Sequence, residues 1–142
     1  MHKPTILIVC TANSARSQMA EGLLRREGGS RFEVFSAGTK PSVVRPEAIM
    51  AMQEIGVDIS GQRSKSVDEF IGKALDFIIT VCDSAREACP VFPGNAKRLH
   101  WPFDDPAAAE GSADVRMAAF RRIRDQIYSR IVVFLDGNES NR

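Results

Sequence analysis

The chain has 142 residues, of which 44% are hydrophobic and 26% charged, a composition typical of one soluble globular domain spanning residues 1–142. Its net charge is +1, so no broad field of either sign indicates a nucleic acid or a membrane surface as its partner. No apolar run approaches the roughly 20 residues that a membrane-spanning helix needs.

The first half of the chain alternates strand and helix signals. The run from Thr5 to Val9 is short, apolar and rich in β-branched residues, which predicts a strand buried on both faces. Ser17 to Glu27 is predicted as a helix, and Phe32 to Ala37 as a second strand. Pro46 suits the first position of a further helix, and Gly56 is expected to end it.

The second half continues this alternation. Ser66 to Glu69 matches a capping box that opens a short helix. Phe77 to Val81 is predicted as a third buried strand and Lys97 to Trp101 as a fourth. Apolar residues at helical spacing predict a long last helix from Ser112 to Asp136. Gly137 is expected to end that helix, and the residues after it are expected to fray.

Strands that alternate with helices imply a parallel sheet with right-handed crossovers. We therefore predict an α/β fold of three layers, in which helices cover both faces of a four-stranded parallel sheet. In such sheets, ligands bind outside the carboxyl ends of the strands. Cys10 follows the first predicted strand and Cys82 follows the third, so the two thiols are expected at the same edge of one sheet.

The segment from Cys10 to Ser17 joins a buried strand to a helix and is predicted to form a cup for a tetrahedral oxyanion. Loop N–H groups and the start of the helix attract an anion, and Arg16 adds a two-pronged donor. Such surroundings favour a thiolate at Cys10, to which the Ser17 hydroxyl is expected to donate. Asn13 tolerates left-handed backbone angles and is expected to brace the loop. The expected oxyanion-binding residues are Thr11, Ala12, Asn13, Ser14, Ala15 and Arg16.

Other interpretations of this loop must be weighed against an oxyanion site. The nucleotide-binding P-loop is excluded, because the segment lacks a Gly-Lys-Ser/Thr ending. In the purely structural alternative, Cys10 is a buried thiol at a strand end and Arg16 is a surface cation. The position of Cys10 between a buried strand and a helix favours the interpretation that Cys10 is a catalytic nucleophile.

The sequence Asp104-Asp105-Pro106 supplies a candidate general acid, which cleavage of a bond to a leaving oxygen requires. Pro106 restricts Asp105 to extended backbone geometry, which can direct its carboxyl group into the site. We predict Asp105 as the acid and regard Asp104 as the weaker candidate. On its own this tripeptide is also a common turn.

Cys82 and Cys89 flank a segment of helical composition, Asp83 to Ala88, which Pro90 is expected to end. Seven residues of helix rise about 10.5 Å, whereas a disulfide needs Cα atoms within about 7 Å. The two thiols can therefore pair only if this segment unwinds. The alternative is that both are small buried hydrophobic residues.

Three cysteines without a secretory signal indicate a reducing compartment, so we expect a cytoplasmic protein with free thiols. The size and balanced charge permit a monomer. Cys82 and Cys89 are too widely spaced for the usual zinc pair, and we expect no metal and no cofactor. His100 and Trp101 are predicted to pack at a strand end rather than to line the site.

Taken together, these residues resemble the thioredoxin-coupled arsenate reductases, which share the fold of the low-molecular-weight protein tyrosine phosphatases. The resemblance covers nearly the whole chain and implies a phosphotyrosine phosphatase I-like sheet with flavodoxin-like winding. The matching segments are Cys10 to Glu21, Ser36-Ala37-Gly38, Gly56 to Ser60, Thr80-Val81-Cys82, Cys89-Pro90, His100-Trp101 and Asp104 to Ala107.

The resemblance implies reduction of arsenate to arsenite by a relay of three thiols, with thioredoxin as the final reductant and arsenic resistance as the purpose. Cys10 attacks arsenate while Asp105 protonates the departing oxygen. Cys82 then attacks Cys10, which releases arsenite, and Cys89 attacks Cys82 to form a disulfide that thioredoxin reduces.

The chain departs from relatives at a few positions. Ala15 replaces a cysteine that many relatives carry, and Ala12 replaces a common glycine. Some relatives bind potassium beside the loop through Asn13 and nearby carboxylates, but Lys65 occupies that region here, so no potassium site is expected. Phosphatases usually carry Asp-Pro-Tyr, where this chain has Ala107 after Pro106.

Two other functions remain open at this point. A phosphatase acting on phosphotyrosine would need only the Cys10 loop and Asp105. A non-catalytic sensor would use three thiolates to bind arsenite or a metal, but it would leave Arg16 and Asp105 without a task.

Overall fold

In the computed structural model, which describes residues 3–140, four parallel strands form one sheet. The strands are β1 (Thr5–Cys10), β2 (Glu33–Gly38), β3 (Phe77–Thr80) and β4 (Lys97–His100). Their order in space is β2-β1-β3-β4, so β1 lies between β2 and β3. The carboxyl ends of β1 and β3 are therefore neighbours, as the positions of Cys10 and Cys82 in the sequence predict.

The burial of β1 on both faces explains why its sequence is continuously apolar. All six of its residues are buried, and the residues from Ile6 to Val9 have no exposed surface. A strand covered on both faces has no polar side, which is why the apolar residues run continuously instead of alternating. The registers place Cys10 beside Gly38 of β2 and Val9 beside Thr80 of β3.

The helices are α1 (Arg16–Gly28), α2 (Pro46–Gln53), α3 (Asp83–Ala88) and α4 (Ala113–Ser140). The helices α1, α2 and α4 pack against one another, whereas α3 packs on β1 and β3. The result is the predicted three-layer α/β fold. Strand and helix boundaries agree with those predicted to within a few residues, and α3 has the predicted bounds.

Two local predictions need correction. Ser66 does accept a capping hydrogen bond, but from the backbone N–H of Asp68 (3.1 Å), and the turn that follows is a 3₁₀ helix, Val67–Phe70. Gly137 does not end α4, which continues to Ser140. A glycine lowers helix stability by only about 1 kcal/mol relative to alanine. Residues 141 and 142, also expected to fray, lie outside the described range.

The core face of α4 carries the apolar stripe that its sequence predicts. Phe120, Ile123, Ile127 and Ile131 are completely buried. Within residues 3–140, no helix combines the length and the apolar character that crossing a membrane requires.

Glu54, which follows α2, links that helix to α4 through two arginines. Its carboxylate accepts hydrogen bonds from Arg121 Nε (2.9 and 3.0 Å) and from Arg124 NH1 (2.9 Å). Arg124 NH1 also donates to the carbonyl of Ala51 at 2.8 Å. The hydrogen bond from Arg121, assisted by that from Arg124, lowers the pKa of Glu54 below its ordinary value of 4.5.

We expect Glu54→Gln to destabilise the protein at neutral pH, with an effect that disappears in acid. Because the pKa of Glu54 is lower in the folded state, its carboxylate stabilises the fold above about pH 4.5, and this contribution is lost as the pH falls through the folded pKa. Urea unfolding at several pH values measures the difference. Glu110→Gln, at an exposed position before α4, is the control. A difference between Glu54→Gln and wild type that is independent of pH would contradict this account.

Candidate active site

The candidate site lies at the carboxyl end of β1, where residues 10–17 turn into α1. Cys10 is the last residue of β1 and its side chain is almost completely buried (3% exposed). The backbone N–H of Asn13 donates to Cys10 Sγ at 3.2 Å, and Ser17 Oγ lies 2.9 Å from the same sulfur. Cys10 Sγ thus has two polar partners, the backbone N–H of Asn13 in the loop and the hydroxyl of Ser17 in the first turn of α1.

The carbonyl groups of this loop are bound on its outer side by the segment that follows β2. A trans peptide group points its C=O and its N–H in opposite directions, and the N–H of Asn13, which follows the bound carbonyl of Ala12, donates to Cys10 Sγ. A complete ring of inward N–H donors around a bound anion stays a prediction from the sequence. The four bonds run from Thr39 N to Cys10 O (3.2 Å), Lys40 N to Thr11 O (2.8 Å), Ser42 N to Ala12 O (3.1 Å) and Arg45 N to Ser14 O (2.9 Å).

Asn13 braces the loop from within. It is completely buried, and its backbone is left-handed (φ 49°). Its side-chain Nδ2 donates to Ser17 Oγ (2.7 Å) and to Ser36 Oγ (3.0 Å). Its Oδ1 accepts from Gln18 Nε2 (2.9 Å) and from the backbone N–H of Lys65 (3.0 Å). Since Ser17 Oγ accepts from Asn13, its own proton is free to point at Cys10 Sγ.

A buried charged group behind Asn13 was not predicted. Ser36 Oγ donates to Glu21 Oε1 at 2.5 Å, and Lys65 Nζ lies 3.6 Å from the same carboxylate oxygen. Arg25 lies 2.9 Å from the other oxygen. Burial lowers the pKa of Lys65, although the charge of Glu21 partly opposes that shift. Gln18 and Glu21 belong to a buried stretch of α1, but polar residues in a predicted helix are ordinarily placed on its solvent face, so no sequence signal marked this group.

Arg16 and Asp105 meet beside the loop. Arg16 NH1 donates to the carbonyl of Phe103 (2.9 Å), and Arg16 NH2 lies 3.9 Å from Asp105 Oδ2. The backbone of Asp105 is extended (φ −77°, ψ 109°), as Pro106 after it predicts. Its Oδ1 accepts from the backbone N–H of Ala107 (2.9 Å), which fixes the carboxyl group while 47% of the side chain stays exposed.

The other two thiols sit at opposite ends of α3. Cys82, at the helix start, is 8% exposed, and its sulfur lies 3.4 Å from Thr11 Oγ1 in the Cys10 loop. Cys89 follows the last helical residue and is half-buried. All three thiols are free. Cys82 is thus beside the cup, whereas the folded helix holds Cys89 away from it.

His100 and Trp101 have different surroundings. Trp101 is 2% exposed and packs edge-on against Phe134 with ring centroids 5.6 Å apart, as expected of a core residue. His100 instead joins β3 to α3: its Nδ1 lies 2.7 Å from Thr80 Oγ1 and its Nε2 lies 2.8 Å from Asp83 Oδ1.

A separate groove of about 780 Å³ runs along α1 and does not include Cys10. Two of its cations are already paired: Arg63 makes two bonds to Glu69 (2.6 and 2.9 Å), and Arg25 pairs with Glu21. The described residues contain no group of three or more His, Cys, Asp or Glu side chains that could hold a metal ion.

A buried thiol that accepts a loop N–H, with an arginine and a carboxyl group at one side, is the arrangement expected of a cysteine-based enzyme that binds a tetrahedral oxyanion. The family model for low molecular weight phosphotyrosine protein phosphatases matches residues 5–140. The chain belongs to this family.

Within the family, the chain is similar to arsenate reductases. It is 46% identical to the arsenate reductase of Halalkalibacterium halodurans over 96% of this chain and 98% of that protein. A solved arsenate reductase in a phosphate-binding state superposes with a TM-score of 0.77 at 31% identity, covering 94% of this chain and 98% of that one. A thioredoxin-dependent arsenate reductase of Corynebacterium glutamicum gives a TM-score of 0.75 at 29% identity, covering 99% of this chain and 64% of that one.

We expect Gly38→Ala to weaken oxyanion binding, because a Cβ at this position would lie 2.5 Å from the carbonyl oxygen of Thr11. Such overpacking against backbone costs about 1–3 kcal/mol of stability, and the displaced loop should bind phosphate roughly tenfold or more weakly. Calorimetric titration with phosphate and urea unfolding measure both effects.

Gly61→Ala is the matched control, since an added Cβ there meets nothing within 4 Å. Wild-type phosphate affinity in the Gly38→Ala protein would show that the close approach of β2 does not shape the cup.

Proposed function

We propose that this protein reduces arsenate to arsenite through a relay of Cys10, Cys82 and Cys89, and that thioredoxin restores the thiols. The observation that carries the proposal is the position of Cys82 against Thr11 of the Cys10 loop. A phosphatase needs the cup, the arginine and the acid, but it has no use for a second thiol there. Relatives named arsenate reductase, similar over nearly the whole chain, support the same activity.

In the first step, the Cys10 thiolate attacks the arsenic of a bound arsenate and an oxygen leaves as water. The loop N–H groups and the Arg16 guanidinium bind the remaining oxygens. Asp105 supplies the proton for the departing oxygen, a role supported by its position 3.9 Å from Arg16. Ser17 and the N–H of Asn13 stabilise the thiolate before attack, as their contacts with Cys10 Sγ suggest.

In the second step, the Cys82 thiolate attacks Cys10 Sγ and forms a disulfide. The electron pair of the S–As bond stays on arsenic, which leaves as arsenite, so As(V) is reduced to As(III) while two thiols are oxidised. The approach of Cys82 is supported by its place in the fold: the two thiols lie at the carboxyl ends of adjacent strands about 4.8 Å apart, and Cys82 Sγ is 3.4 Å from Thr11 Oγ1.

In the third step, Cys89 attacks Cys82, the Cys82–Cys89 disulfide forms, and Cys10 leaves as a thiolate. Across the folded α3 the two residues are separated by a rise of about 10.5 Å, so the helix must unwind first. Unwinding also moves the disulfide away from the cup, to a position that the dithiol of thioredoxin can reach and reduce. The thioredoxin-dependent structural relative supports this choice of reductant.

We further propose a single-domain monomer that works in the cytoplasm, where thioredoxin keeps thiols reduced. Slow cleavage of phosphate esters is expected as a second activity, because the cup and Asp105 are the parts that phosphatases of this family would use.

Cys82→Ser is expected to abolish multiple-turnover arsenate reduction and to leave phosphate-ester cleavage near the wild-type rate. The assay follows arsenate-dependent oxidation of NADPH with thioredoxin and thioredoxin reductase, and the hydrolysis of para-nitrophenyl phosphate serves as the control. Arsenate turnover that survives in this variant would rule out the relay.

In the same assay, Cys89→Ser should release one arsenite per protein and then stop with a Cys10–Cys82 disulfide. Stoichiometric binding of arsenite by the reduced wild-type protein, without any turnover, would instead indicate a sensor.

Asp105→Asn is expected to slow the first step by roughly 10²–10⁴-fold, since an amide has no proton to give the leaving oxygen. Asp104→Asn is the matched control, because Asp104 is the exposed neighbour that lacks the fixed contact with Arg16. Rapid-quench measurement of arsenite release in a single turnover gives both rates. An equal loss in the two variants would remove Asp105 from the acid role.

A further inference from the structure

We propose that Arg98 is a positioning residue for Cys89: its guanidinium stabilises the Cys89 thiolate and so sets the rate of the third step. This inference rests on the proposed relay. Arg98 lies on β4, where its backbone pairs with Ile78 of β3, so its position is set by the sheet and not by α3. Its NH1 lies 3.7 Å from Cys89 Sγ, and its NH2 donates to the carbonyl of Pro90 at 3.0 Å.

The helix itself acts against a thiolate at Cys89. Free N–H groups make the start of a helix favourable to negative charge, and free carbonyls make its end unfavourable. Cys82 occupies the start of α3 and Cys89 follows its end, so α3 favours the first thiolate and opposes the second. A cation from another element of the fold offsets that effect at Cys89, and Arg98 is placed to do so.

Both α3 and β4 place further charged groups near this end of the helix. Arg86 and Glu87 are exposed residues of α3, and Arg86 lines a cavity of about 270 Å³ together with Arg98 and His100. His100 holds the start of the helix through Asp83 (2.8 Å). Residues two apart on a strand share a face, so β4 contacts both ends of α3: His100 contacts its start and Arg98 its end.

The proposed step is balanced as a thiol exchange. Cys89 loses its proton to solvent, and its thiolate attacks the Cys82 sulfur of the Cys10–Cys82 disulfide. The Cys82–Cys89 bond forms, the Cys10–Cys82 bond breaks, and the electron pair leaves on Cys10, with no net oxidation. The long Arg98 side chain can follow Cys89 as the end of α3 unwinds, and it can keep the thiolate paired until attack.

The test compares Arg98→Met and Arg98→Lys in the full chain. Arg98→Met should lower thioredoxin-coupled arsenate turnover roughly three- to tenfold, a modest loss because the contact is exposed to solvent and ions. The single-turnover release of arsenite should be unchanged, because it needs only Cys10 and Cys82. Arg98→Lys, which keeps the charge, should recover part of the loss. Lys97→Met removes a cation from the other face of the same strand and should leave turnover as it is.

A second readout does not depend on arsenate. In a Cys10→Ser/Cys82→Ser background, the rate of Cys89 alkylation by iodoacetamide is followed against pH, and Arg98→Met should move this profile to higher pH while Lys97→Met should not. An unchanged profile, or an equal shift in both variants, would overturn the proposal. If the wild-type protein released no arsenite, the relay would fail, and the alkylation profile would still decide whether Arg98 acts on Cys89.

Discussion

The site depends on one buried residue in an unfavourable backbone conformation. A left-handed, non-glycine residue costs roughly 1–2 kcal/mol, and Asn13 adopts it with no exposed surface. Its hydrogen bonds offset that cost: both donors and both acceptors of its side chain are used, and they reach β2, α1 and Lys65. Because the amide contacts Ser17 and the backbone N–H contacts Cys10, the same residue shapes the loop and orders the groups around the thiol.

The order of the strands explains why a second thiol can join this cup. The chain passes from β1 to β2 on one side and later returns to β3 on the other, which makes β1 the point where the winding changes direction. Loops that leave such a point diverge and open a crevice at the carboxyl ends of the strands. Cys10 and Cys82 lie at that edge of the sheet, and Thr11, the residue after Cys10, is 3.4 Å from Cys82 Sγ. The fold thus brings together two residues that are 72 positions apart in sequence.

A feature could be predicted from the sequence where it depends on residues close together in the chain. It could not be predicted where it depends on packing between distant segments. The strands, the loop between β1 and α1, the bounds of α3 and the extended backbone at Asp105 depend on neighbouring residues or on hydrophobic periodicity. Glu21, Ser36 and Lys65 come together only when α1, β2 and the segment after residue 60 have packed, so no local pattern marks them. The pairing of Arg98 with Cys89 likewise requires the register of β4 on β3. The prediction that Gly137 ends α4 was wrong for the opposite reason. The local signal of the glycine was weaker than the packing of the apolar face of α4 in the core.

The stability of α3 decides whether one fold can support both a phosphatase cup and a thiol relay. Isolated helices of fewer than about 12 residues are marginal in water, and α3 has six. Buried Ala85 and the contact between His100 of β4 and Asp83 at its start hold it on the sheet. Few contacts must therefore break to unwind it, whereas α4 could not unwind without exposing the core. The proposed relay thus places its largest motion in the helix with the fewest contacts to break, and it leaves the Cys10 loop, which Asn13 braces, in place.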